Sequence, residues 1–329
     1  MIPRREFITL LGGAAGWPLA ARAQQRTAMP VIGYLGQGAP ATATSGLETA
    51  FRNGLSEMGF VEGRNVRIEY RWSEGHYDRL PDLAADLVRR RVTLIAAMGG
   101  AVAGLAAKRA TTTIPIVFRT GFDPVQSGLV ASLNRPGGNA TGVSSMTPEL
   151  STKRLGLLHD LLPKATRFAI LVDPNAPSAE IAASAVEVAA AGITQQIDVL
   201  RASTNREITG AFDTLVQRRV DAVLVGANSL FENRRVQLVT LAAYHKIPAI
   251  YFGREFVEVG GLMSYGSRLL DEFRQAGIYA GRILKGDKPA DLPVTRPTRF
   301  DFVINLQTAS ILGLEIPPSL RAIADEVIE

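Results

Sequence analysis

Beyond Pro30 the chain sets down one order of strands and helices twice, about 130 residues apart, and that duplication restricts its fold more than any other feature. In the first copy, residues 31–35 form a strand-length apolar run closing on Gly36. Residues 45–58 follow with Leu47, Ala50, Phe51, Leu55 and Met58 at helical spacing, which makes one apolar face. A strand is predicted over 66–71, a helix over 80–91 and a buried strand over 94–98, closed by Gly99 and Gly100. A short helix over 101–110 and a fourth strand over 114–118 complete the copy. The second copy predicts strands over 168–172, 194–200, 222–225 and 249–252, with helices over 178–191, 207–219 and 233–245.

Local echoes support duplication. Ala39-Pro40 matches Ala176-Pro177 (137 apart), Leu87–Val92 matches Leu215–Val220 (128 apart), and Ile114-Pro115 matches Ile247-Pro248 (133 apart). Alternating strands and helical crossovers force parallel pairing with helices on both sheet faces. The predicted fold is α/β, with two similar doubly wound parallel-sheet lobes. A connection is expected over 135–147, where Pro136, Gly137, Gly138 and Gly142 interrupt regular structure. A second crossing is expected near 262–266, because the helical stretch 269–284 has no counterpart in the repeat. A third is expected around 298–305, where Phe300, Phe302 and Ile304 alternate as a strand. These three hinge crossings divide the chain into a first lobe of 30–142 plus 267–290 and a second of 143–266 plus 291–329.

Residues 1–23 stand apart. Arg4-Arg5 precedes an apolar stretch that is interrupted by Gly12, Gly13, Gly16 and Pro18 and ends in Ala21-Arg22-Ala23. Basic start, apolar middle and small-x-small end make a cleavable export signal, with cleavage expected before Gln24. Arg4-Arg5-Glu6-Phe7-Ile8 resembles the twin-arginine pattern, with Pro3 where Ser or Thr ordinarily stands. The stretch is shorter than the ~20 residues of a membrane span, and no later segment approaches that length. A periplasmic location, not membrane-embedded, is expected.

Composition narrows the chemistry. There is no cysteine, which removes disulfides, thiolate metal sites, a Cys nucleophile and a lipid anchor. The three histidines, His76, His159 and His245, have no ligand-type spacing, so neither metal nor cofactor is expected. Net charge is +5, and the basic runs at 89–91, 218–219 and 234–235 lie in predicted amphipathic helices rather than in a nucleic-acid stripe. Gly36-Gln37-Gly38 is not continued in the dinucleotide pattern. No phosphate loop and no Gly-x-Ser-x-Gly elbow occurs.

In open parallel sheets, ligands sit beyond the carboxyl ends of the strands. That rule selects Gly36, Gln37, Ser45, Gly99, Gly100, Asp123, Pro124, Asn175, Ser178 and Asn228 as candidate ligand-binding residues. A ligand carboxylate is expected at helix N-termini, with Asp123 and Asn228 giving polar recognition. Thr42, Thr44, Ser45 and Ser178 equally suit helix caps. Asp123, Asp173 and Glu255 are acids that loops place around the cleft. Tyr265, at an expected crossing, is the aromatic selected to stack on a planar ligand, whereas Trp72 and Tyr77 read as packing residues.

Four strings carry a resemblance: Asp123-Pro124-Val125, Arg135-Pro136-Gly137-Gly138-Asn139-Ala140-Thr141-Gly142-Val143, Ser264-Tyr265-Gly266 and Ile304-Asn305. Together they resemble the ABC transporter substrate-binding protein family related to tryptophan-binding components, with a periplasmic binding protein-like fold of type I. The resemblance implies a two-lobed periplasmic receptor that closes on a small organic ligand, such as an amino acid or aromatic carboxylate. It also implies delivery to an ABC permease and its ATPase in the inner membrane, and it places Asp123 and Tyr265 in the cleft. Two other classes remain open at this stage. One is an exported hydrolase or isomerase, which would need carboxyls converging in the cleft. The other is a periplasmic sensor subunit that signals to a membrane kinase.

Overall fold

A computed structural model describes residues 29–37, 46–145, 147–176, 179–193 and 195–329. The expected export signal, residues 1–23, lies outside the described residues, as do Thr42, Thr44, Ser45 and Ser178. In the first lobe β1 (Val31–Gly36), α1 (Leu47–Glu57), β2 (Arg67–Trp72), α2 (Leu80–Arg89), β3 (Leu94–Ala97), α3 (Gly100–Ala110), β4 (Ile116–Thr120) and β5 (Ala140–Ser144) follow in order. Their strands form a five-stranded parallel sheet in the order β2-β1-β3-β4-β5. Alternation along each strand builds two cores at once. Ile32, Tyr34, Leu94 and Ala96 face Phe51 and Leu55 of α1. Leu35, Ile95 and Ala97 face Leu80, Ala84 and Leu87 of α2 and Ala103 and Ala107 of α3.

The second lobe opens with α4 (Thr147–Leu161), β6 (Arg167–Val172), α5 (Ala179–Gly192), β7 (Gln196–Arg201), α6 (Asn205–Gln217) and β8 (Ala222–Val225). It continues with α7 (Ser229–Asn233), α8 (Arg235–Tyr244), β9 (Ala249–Tyr251), α9 (Arg254–Val257) and β10 (Met263–Ser267). Its parallel strands run β10-β9-β8-β6-β7, so β7-β6-β8-β9 repeats the order β2-β1-β3-β4. The duplication extends to backbone detail. Helices α2 and α6 both end with an arginine in the left-handed region, Arg91 and Arg219, each at φ 53°. The next residue closes each end by donating back, Val92 N to the Leu87 carbonyl and Val220 N to that of Leu215.

The chain then returns. α10 (Leu269–Leu284) lies on α1 in the first lobe and adds Phe273, Ala276 and Ala280 to its core. The two helices approach to backbone contact through glycines. A Cβ on Gly54 would stand 1.9 Å from the Arg274 carbonyl oxygen, and one on Gly277 would stand 2.0 Å from that of Phe51. After Thr295 the chain crosses back to β11 (Phe300–Asn305), α11 (Leu306–Ile311), α12 (Pro318–Ile323) and β12 (Glu326–Ile328), extending the second sheet to seven strands. The three crossings are tied in pairs. Thr295 exchanges backbone hydrogen bonds with Gly142 and Ser144 at the end of β5, and Arg268 in the second crossing holds Asp301 of β11 at 2.7 Å.

Several sequence expectations shift. The stretch expected to be an irregular connection contains β5, whose Gly142 lies so close to β4 that a Cβ would meet the Phe118 carbonyl oxygen at 1.9 Å. The first-lobe boundary drawn at 142 falls inside that strand. Leu292 and Val294, assigned to the second lobe, pack in first-lobe cores. The crossing expected over 262–266 is largely strand β10, and the chain leaves the sheet after Ser267. The predicted helix over 233–245 is α8, and a short helix not expected from the sequence, α7, precedes it and ends at Asn233. The second sheet is not wholly parallel, because β11 pairs antiparallel to β10.

Opposite effects are expected from two Gly→Ala changes in helices. Gly277→Ala gains about 1 kcal/mol of helix propensity. The new methyl meets a backbone carbonyl that no rotamer change relieves, so net destabilisation of about 1–3 kcal/mol is expected. Gly210→Ala in α6 meets nothing within 4 Å and should stabilise by up to about 1 kcal/mol. Urea unfolding of both variants, with a shift of the midpoint to lower and higher urea respectively, checks the pair.

Candidate ligand-binding site between the lobes

The carboxyl ends of the two sheets face one another across a cavity of about 350 Å³. From the first lobe, Gly36 and Gln37 follow β1, Met98 to Gly100 follow β3, and Arg119 and Phe122 come from the end of β4. From the second, Ala227 and Asn228 follow β8 and Phe252 and Gly253 follow β9. Of the sequence candidates, Gly36, Gln37, Gly99, Gly100 and Asn228 therefore meet at one cavity. Asn228 also caps α7, its Oδ1 accepting from Phe231 N at 2.9 Å.

Four other candidates are not brought to it. Asp123 is consumed by its own turn, with Oδ1 accepting from Val125 N at 2.7 Å and Gln126 N at 3.3 Å. Pro124 is buried below that turn, its carbonyl accepting from Leu129 and Val130. Asn175 is exposed, its backbone N–H donating to Asp173. Tyr265 pairs in register with Phe302 on β11 and packs its ring against Phe300 and Phe302, away from the cavity. Only its carbonyl serves the site, by accepting from Arg154 Nε at 2.7 Å. Trp72 and Tyr77 pack against the first-lobe cores as expected, and they also line the cavity. Trp72 sits 5.4 Å from the Tyr34 ring, over Gly36, where a Cβ would reach its indole at 2.3 Å.

Of the charged lining, only Arg119 and Glu255 lie in segments that the strand-end rule selects from the sequence. Arg154 of α4 is 1% exposed, and among the described residues no carboxylate stands within ion-pair distance of it. Its remaining side-chain partner is Ser151 Oγ at 3.3 Å, and burial pulls its guanidinium down to about 9, still protonated at neutral pH. Arg119 is held by Glu272 of α10 at 2.8 Å. Glu272 also accepts from Ser267 Oγ, which fixes the second crossing to the cavity wall. On the second lobe, Glu232 of α7 and Glu255 of α9 converge with Arg235 of α8. Burial and then the Glu255 carboxylate push Glu232 up to about 7, against the pull of Arg235 and Arg119. Burial raises Glu255 as well. Asp173, the remaining loop acid, is buried in its own turn and raised by that burial. Among the described residues no group of His, Asp or Glu is placed to hold a metal ion.

The model of ABC transporter substrate binding proteins matches residues 41–328. The chain belongs to that family. It is 28% identical over 265 residues to a tyrosine-binding protein of Clostridioides difficile (strain R20291), covering 80% of this chain and 76% of the relative. Among solved structures it is similar to an ABC domain from Streptococcus pneumoniae in complex with L-Trp, with TM-score 0.81 and 26% identity, covering 91% and 99% of the two chains. It is also similar to the ligand-free, open structure of a substrate-binding protein with adhesive properties from Clostridium difficile, with TM-score 0.65, 25% identity and the same coverage. Among the described residues no helix is long and apolar enough to cross a membrane.

In a carboxyl-resolved NMR titration of the ligand-free protein, Glu232 should titrate near pH 7, and Glu255→Gln should lower that midpoint by removing the neighbouring charge. The raised value means protonated Glu232 supports the fold fully below about pH 4.5, and that contribution is lost as pH rises through 7. Glu232→Gln should therefore melt increasingly above the wild type between those values.

Proposed function

We propose that this family member is an exported receptor which closes its lobes on an amino acid with an aromatic side chain and delivers it to an ABC permease and its ATPase. The observation that carries the proposal is the amphoteric cavity. A guanidinium buried without a carboxylate is costly unless an anion meets it, and Arg154 faces a cavity able to admit one. The ligand α-carboxylate answers Arg154, while the α-ammonium answers Glu232 and Glu255 beside Arg235. Tyr34, Trp72, Phe122 and Phe252 give the ring an aromatic enclosure. The tyrosine and tryptophan named for the relatives agree with such a ligand.

Mechanistically, a ligand that touches both lobes favours the closed state by its differential affinity, and the tied crossings form the hinge. Residues 1–23 serve as the export signal, of the twin-arginine kind, and leave the mature receptor in the periplasm. Glu232 and Glu255 line the same cavity, the kind of pairing an exported hydrolase or isomerase would need. Within a family of substrate-binding proteins they are read as the ammonium site. Recovery of the ligand chemically unchanged after prolonged incubation, checked by mass spectrometry, separates the two.

Calorimetric titration of residues 24–329 with L-tyrosine, L-tryptophan and L-phenylalanine tests the proposal. Arg154→Met should weaken binding by about 2–5 kcal/mol, the cost of removing one partner of a buried charge pair. Because an ammonium favours ionised Glu232, binding at pH 6–7 should release a proton, and affinity should fall as pH drops below 7. Titrations in buffers of different ionisation enthalpy read that proton directly. Unchanged affinity in Arg154→Met, with no proton released, refutes the assignment.

A further inference from the structure

The two halves of the cavity differ in character. Arg154, Glu232, Arg235 and Glu255, the charges assigned above to the amino-acid head group, all belong to the second lobe. The first lobe supplies the aromatic and apolar wall of Tyr34, Leu47, Trp72, Leu269 and Phe273, and its charged lining residues are Arg119 and Glu48. Glu48, the second residue of α1, projects from that wall at 8% exposure, and its Oε2 has no hydrogen-bond partner among the described residues. The nearby cations are engaged elsewhere. Arg52, one turn on, pairs with Glu62 and donates to Thr49, and Arg119 is held by Glu272. The start of α1 favours a negative charge, but a helix dipole gives no hydrogen to a particular carboxylate oxygen. A buried acceptor without a donor is destabilising, and this one borders the space a ligand enters.

From this arrangement, and resting on the ligand class proposed above, we infer that Glu48 is a specificity-determining residue. It accepts a hydrogen bond from an O–H or N–H donor at the far end of the ligand ring, so that the receptor selects a phenol or indole over a bare phenyl ring. The head group is held by the second lobe and the ring tip by Glu48 of the first. A ring without a donor leaves Oε2 unpartnered in the closed cavity. Sites built to bond a ligand hydroxyl or N–H reject the analogue lacking it far more strongly than apolar pockets reject a missing methylene.

Calorimetric titration of wild type, Glu48→Gln and Glu48→Met with L-tyrosine, L-tryptophan and L-phenylalanine tests the inference. In the wild type, tyrosine or tryptophan should bind about 10- to 100-fold more tightly than phenylalanine, the range expected for one unsatisfied buried acceptor. That preference should shrink in Glu48→Gln and disappear in Glu48→Met. Without ligand, Glu48→Met should melt above the wild type, because it removes a buried oxygen that has no donor among the described residues. Equal wild-type affinity for all three ligands overturns the inference and leaves the ligand class intact, as does a preference that persists in Glu48→Met. A lower melting temperature of ligand-free Glu48→Met overturns it too, by showing a structural partner for the carboxylate. Absence of wild-type binding by all three removes the ligand class, and the inference with it.

Discussion

A guanidinium taken out of water is the interaction on which this architecture turns. Arg154 lies on α4, the first element after the chain leaves the first lobe, and its Nε is held by the carbonyl of Tyr265 on β10, the last strand before the chain returns. One side chain thus ties the entry to the exit of the second lobe and also borders the cavity. Desolvation makes its charge costly, and the surrounding fold leaves that charge uncompensated by any carboxylate among the described residues. Hinge geometry and ligand chemistry meet at this position.

The layout of the lobes was legible because it depends on local pattern. Strand-length runs of Val and Ile closed by glycine, and helical faces such as Leu47, Phe51 and Leu55, are set by periodicities of two and 3.6. The structure carries them in two sheets of repeated strand order. The duplication was legible for the same reason, since Leu87–Val92 and Leu215–Val220 encode the same helix end. β5 was not, because Thr141, Gly142 and Ser144 lack the apolar alternation of a strand, although the strand is buried throughout.

The site was legible only to the extent that strand ends locate it. Gly36, Gly99 and Asn228 follow from that rule. Asp123 and Tyr265 do not reach the cavity, because an Asx turn satisfies the former and strand alternation turns the latter to the opposite face. The decisive charges, Arg154, Glu232 and Glu48, sit on helices, where a lone charged residue reads as a solvated face. Whether such a residue meets solvent or the opposite lobe depends on how the two lobes are placed, which local periodicity does not encode.

The seating of α10 on α1 has a consequence for the order in which the molecule can assemble. Phe273, Ala276, Tyr279, Ala280 and Leu292 complete a core whose other members, such as Ile32, Phe51 and Leu55, are made some 200 residues earlier. During synthesis the earlier-made half waits with one flank bare until residues 269–292 have left the ribosome. The second half is finished later still, when Phe302, Ile304, Ala309, Ile316 and Leu320 join its core. Completion of the earlier-made half is thus deferred until the parallel strands of the other half have been made, and a chain passed across a membrane before that point travels without a finished first module.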